Sequence, residues 1–70
     1  MLFKDTIDEQ IKGAIVNNKA DSSIEYAIIN GVRFHRYLDK EVNGWRNMYQ
    51  EEIAILKGSV NNDWQIVEMA

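Results

Sequence analysis

The chain has 70 residues, no cysteine, no proline, one histidine and a formal net charge of −3. A chain of that length makes one domain near the lower limit for a self-supporting core, so without disulfides or a metal a homo-oligomer is expected. The composition excludes a disulfide scaffold and a metal site built from histidine and cysteine, and the acidic balance argues against direct binding to nucleic acid or an anionic membrane surface.

No apolar run approaches the ~18 residues needed to span a bilayer. Met1-Leu2-Phe3-Lys4-Asp5 does not read as a secretory signal. Lack of cysteine suits a reducing compartment, so a soluble cytoplasmic protein is expected. No cofactor is implied.

Residues 3–18 carry apolar side chains at Phe3, Ile7, Ile11, Ala14 and Ile15, the stripe of an amphipathic helix. Thr6 and Glu9 have the spacing of a capping box, and Asp5 and Asp8 also suit a helix start. Gly13 inside this span weakens it by about 1 kcal/mol relative to alanine, which packing must offset. Asn17-Asn18 and Asp21-Ser22-Ser23 are read as its end.

From Ile24 the apolar period changes to two. Asn-Gly pairs occur at Asn30-Gly31 and Asn43-Gly44, and Asn-Gly favours a two-residue type I′ turn because both central residues need positive φ. With both turns in that form, the first sets Ile29 opposite Val32, Ala27 opposite Phe34 and Glu25 opposite Arg36. The second sets Val42 opposite Trp45, Leu38 opposite Tyr49, Arg36 opposite Glu51, Phe34 opposite Ile53 and Val32 opposite Ile55. These positions share one mostly apolar face, which is assigned to the core, with Arg36 answered by Glu25 and Glu51. A competing reading makes residues 45–56 a helix capped by Gly58, since Trp45, Met48, Tyr49, Glu52, Ile53 and Leu56 have tolerable helical spacing. The working register prefers the strand. A last strand fits Trp64–Met69. The expected architecture is α+β, with the N-terminal helix packed on one face of a four-stranded antiparallel meander.

The opposite face then carries Tyr26, Arg33, His35, Tyr37, Met48, Gln50 and Glu52 to solvent, and these are the candidate binding residues. In this register Tyr26 faces His35, His35 faces Glu52, Tyr37 faces Gln50 and Glu41 faces Arg46. Flat rings beside an arginine and a histidine could stack on a base and hold a phosphate, or form an interface with Ile24, Ile28 and Met48. A solvated face of ordinary cross-strand pairs is the plain alternative. A general base needs a nucleophile or an electrophile stabiliser nearby, and no serine or threonine falls near His35 on this face, so no catalytic residue is assigned. Trp45 and Trp64 are expected to close the ends of a small core.

The opening LFKDTIDEQIKG and the closing NNDWQIVEMA resemble small phage-encoded proteins. They are similar to the Thoeris anti-defence class, which sequesters nucleotide signals, in Phe3, Ile7 and Ile11 and in Asp63, Trp64, Ile66 and Val67. The middle of the chain lacks that class's Gly-Trp-rich stretch after the first helix, so no ligand-binding residue is carried over. The resemblance implies an accessory protein of a phage or mobile element. The expected function is non-enzymatic binding, with inhibition of a host defence protein as its setting and sequestration of a small nucleotide or structural self-association as alternatives.

Overall fold

The computed structural model describes residues 1–38 and 44–69. Helix α1 spans Phe3–Ile11, followed by strands β1 (Ile15–Asn18), β2 (Asp21–Ile29), β3 (Val32–Tyr37) and β4 (Arg46–Asn47). Helix α2 (Gln50–Ser59) and strand β5 (Trp64–Glu68) complete the described chain. The sheet order is β4-β3-β2-β1-β5 and every described pairing is antiparallel. β1 to β4 form a four-stranded meander, and β5 returns to lie beside β1. The α+β architecture with an N-terminal helix on an antiparallel sheet is therefore as expected, although several segments play other parts in it.

α1 stops at Ile11, short of the expected Asn18, because Gly13 terminates it. Gly13 has φ 112°, its N–H donates to the Gln10 carbonyl, and the Ala14 N–H reaches back to the Glu9 carbonyl. That pair of bonds is a Schellman motif, in which glycine takes the positive φ at no steric cost. Ile15 to Asn18 are thereby released into β1. Leu2, not Thr6, occupies the N-cap. Thr6 lies inside the helix, donates to the Phe3 carbonyl and accepts from Gln10 Nε2 at 2.9 Å.

The Asn30-Gly31 turn is as expected: both residues have positive φ, 51° and 78°, and β2 pairs with β3 in the register derived from it. The second hairpin differs. Phe34 lies opposite Asn47 and His35 opposite Arg46, which rules out the pairing of Phe34 with Ile53. The Asn43-Gly44 turn, the Val42–Trp45 and Glu41–Arg46 pairs and residues Asp39 and Lys40 fall on or beside 39–43, outside the described residues. Residues 50–59 are helical, so the competing helix reading holds from Gln50 onward, while Arg46–Asn47 is the short strand β4 and Gly58 lies inside the helix, whose C-cap is Val60.

Both helices cover the same side of the sheet. The core gathers Phe3, Val16, Ile24, Tyr26, Leu56 and Trp64, with Ile7, Tyr37, Met48, Val60 and Ile66 packed against it. Trp64 stands at its centre, not at its end. Its ring meets Phe3 at 4.7 Å and Tyr26 at 5.3 Å, and its Nε1–H donates to the Ser59 carbonyl at 2.9 Å, tying β5 to the end of α2. No described helix is long and apolar enough to cross a membrane.

Candidate functional site

Strand alternation sends Ile24, Tyr26, Arg33, His35 and Tyr37 to one side of the sheet and Glu25, Ala27, Ile29, Val32, Phe34 and Arg36 to the other. The helices cover the first side, so the face expected in solvent is the inner one. Tyr26 is 3% exposed and His35 0%. Arg33 lies half-buried with its guanidinium 5.1 Å from the centre of the Phe3 ring. Tyr37 is half-buried and meets His35 edge-on at 5.2 Å. Met48 packs against the core. Gln50 is exposed at the start of α2, where it is not a strand partner of Tyr37.

Glu52 does reach His35, though from a helix and not from a neighbouring strand. Its Oε1 lies 3.2 Å from His35 Nε2, and both side chains are almost wholly buried. The two atoms are close enough to attract, but neither imidazole nitrogen makes an aligned hydrogen bond, and Glu52 Oε2 has no partner. Tyr26, opposite His35 in the sheet, has its phenol pushed up to about 12, chiefly by burial and then by Tyr37, Asp21 and Glu52. The Tyr-His-Glu grouping anticipated from the sequence thus exists as a polar cluster inside the protein. Among the described residues no group of histidine, aspartate and glutamate side chains is placed to hold a metal ion.

The surface lies elsewhere. The helix-free side of the sheet carries Ile29, Val32, Leu38 and Val67, which are 36%, 50%, 45% and 46% exposed, and half-buried Ile15 and Phe34. Across its middle runs a polar row set by the register, Gln65–Asn17–Glu25–Arg36. Arg36 donates to Glu25 Oε1 through Nε at 2.7 Å and Nη2 at 2.6 Å. Trp45 stacks on that guanidinium at 4.5 Å, so it shields an ion pair instead of closing the core. Glu51, the other expected partner of Arg36, is exposed on α2.

A second apolar surface follows α2. The helix turns Glu52, Leu56 and Ser59 inward and leaves Tyr49, Ile53 and Ile55 at 66%, 39% and 49% exposure. Tyr49, Gln50, Glu51 and Ala54 line a shallow groove of about 560 Å³. Sequence reasoning placed Ala27, Ile29, Val32 and Phe34 correctly on one face and assigned them to the core; Ala27 is buried and Phe34 half-buried, whereas Ile29 and Val32 are exposed. The available signal was that β2 is apolar on both sides.

Comparison with protein-family models, with curated proteins and with solved structures returns no match.

Proposed function

We propose that this protein is a non-enzymatic binding protein that acts by occupying a protein partner. The observation that carries the reading is an inverted distribution of chemistry. The clustered residues His35, Glu52 and Tyr26 are buried, while Ile29, Val32, Leu38 and Val67 on the sheet and Tyr49, Ile53 and Ile55 along α2 are exposed. Exposed apolar side chains of this kind are what protein interfaces bury at their centres. The similarity of the chain's two ends to phage anti-defence proteins supplies the setting, inhibition of a host defence protein by a phage or mobile element. The nucleotide-sequestering alternative relied on Tyr26 and His35 as an open stacking surface, and their burial removes its support.

The test is affinity capture from a bacterial lysate with the immobilised protein, analysed by mass spectrometry for retained proteins and small molecules. Parallel captures use Val32→Asp on the sheet face and Ile53→Asp beside the α2 groove, after circular dichroism shows that both fold. A protein retained by the parent chain and lost with one of these variants supports the reading. A capture indistinguishable from blank resin, or one that neither variant changes, overturns it. A retained nucleotide without a protein would restore the alternative.

A further inference from the structure

The helix-free sheet face and the α2 rim lie in different layers of the fold, so they can serve different occupants. We propose that the sheet face is covered by a second copy of this chain, forming a face-to-face β-sandwich dimer that leaves the α2 groove of each subunit open. This goes beyond the binding reading, which stands or falls on its own test.

Three observations favour a second copy. The first is charge. The chain carries a net charge of −3, yet the exposed or half-buried positions Gln65, Ile29, Val32, Phe34, Asn47 and Val67 of this face are uncharged. Among the described residues the opposite charges of this face, Glu25 and Arg36, neutralise each other within it. Two identical acidic subunits can therefore approach through it without repulsion between these positions. The second is composition. A strand wetted on one side reads as alternating apolar and polar residues, whereas β2 carries Ile24, Tyr26 and Ile28 inward and Ala27 and Ile29 outward, as in strands covered twice. Helices cover one side only.

The third is size. The five strands hold four, nine, six, two and five residues, which at ~4.8 Å spacing and ~3.4 Å rise give a face of roughly 420 Å². Two such faces bury an area of roughly 850 Å², the size of a weak, concentration-dependent contact and well below an obligate one. Sheets stack face to face at ~10 Å, which the Ile, Val and Phe side chains present here can fill.

Sedimentation velocity on the purified protein across a hundredfold concentration range tests the inference. The expected result is a species of twice the 8.1 kDa chain mass. The double variant Val32→Asp/Val67→Asp, at two exposed positions of that face, places four charges in the dimer and is expected to raise the dissociation constant by about a hundredfold or more. Ile53→Asp on the α2 rim is expected to leave the dimer intact. Circular dichroism identical to the parent chain separates dissociation from misfolding, and Val32→Lys/Val67→Lys repeats the test with the opposite sign. A parent chain that stays monomeric overturns the inference and leaves the sheet face to another protein. A dimer insensitive to both double variants overturns it too and points to pairing along the β5 edge. A dimer broken by Ile53→Asp assigns self-association to α2 instead.

Discussion

The buried contact between His35 and Glu52 is the sharpest point at which the structure can be tested. Were residues 45–56 a strand, the two side chains would be cross-strand neighbours on a wet face, and their interaction would be worth ~0.2–1 kcal/mol. In the structure His35 is 0% exposed and Glu52 9%, and they meet across the gap between β3 and α2. Removing one member of such a pair leaves the other buried without compensation, at a cost of about 3 kcal/mol or more. Replacing both with apolar side chains of similar size removes two desolvation penalties together and is close to neutral. The experiment is a double-mutant cycle of His35→Phe, Glu52→Leu and the double variant, read by urea and thermal unfolding with circular dichroism. Phenylalanine keeps a ring against Tyr37, and leucine suits the helix. A 70-residue domain holds roughly 3.5–10 kcal/mol in all, so each single variant is expected to lose about a third or more of its stability. At ~4–8 °C per kcal/mol, that lowers the melting temperature by about 12–24 °C. The double variant is expected to recover most of the loss, so with each single variant costing about 3 kcal/mol and the double about 1 kcal/mol or less, the coupling energy is about 5 kcal/mol or more. Two single variants within about 1 kcal/mol of the parent chain, adding simply in the double, would refute the inward-facing cluster and with it the placement of α2.

Three further outcomes follow from individual contacts. Trp64→Ala removes the ring that joins Phe3, Tyr26 and Ser59 and is expected to cost ~3–5 kcal/mol, whereas Trp45→Ala loses a stacking contact worth ~0.5–1 kcal/mol; urea midpoints distinguish them. The Tyr26 phenol is raised from 10.0 to about 12, so folding favours its neutral form. Its contribution is intact below pH 10 and is lost as the unfolded chain ionises first between pH 10 and about 12, roughly 1.4 kcal/mol per unit; Tyr26→Phe flattens that alkaline limb in a stability–pH series. The exposed Asp63 carboxyl is held below its usual 3.8 by the N-terminal ammonium and then by Lys19. Its small contribution is present above that pH and fades as the solution is acidified below it, an acid limb that Asp63→Asn or high salt is expected to erase.

How much of this was legible in the sequence depends on which physical quantity each feature rests on. The Asn30-Gly31 turn is local chemistry, positive φ at two adjacent residues, and it returned the full β2–β3 register, including Glu25 with Arg36 and Tyr26 with His35. The end of α1 was also local, but the apolar stripe through Ala14 and Ile15 concealed it. Gly13 was read as a weak helical residue when it is the C′ glycine of a Schellman motif. Residues 50–59 suited both periods, and a helix there removes the strand that would have continued the meander. The inner side of the sheet was not legible from register at all. Register fixes which residues share a face; the placement of the helices decides which face is covered, and that is a long-range matter. The candidate residues were therefore grouped correctly in part, with Tyr26, His35, Tyr37 and Glu52 converging, and then assigned to the wrong side.

That error follows from the sequence itself, because β2 and β3 offer two faces that could each serve as a core. One contains Ile24, Tyr26, Ile28 and Tyr37 with Arg33 and His35 among them; the other contains Ala27, Ile29, Val32 and Phe34 with one ion pair. The helices cover the first, at the cost of desolvating His35 and Glu52, and the second keeps Ile29 and Val32 exposed. The arrangement becomes intelligible if both faces are covered in the working protein, one by α1 and α2 and the other by a partner surface. The buried pair then serves to distinguish the two faces, since α2 brings the Glu52 carboxylate to His35, while the outer face carries its charges as the internal Glu25–Arg36 pair and leaves Ile29, Val32, Leu38 and Val67 exposed for association.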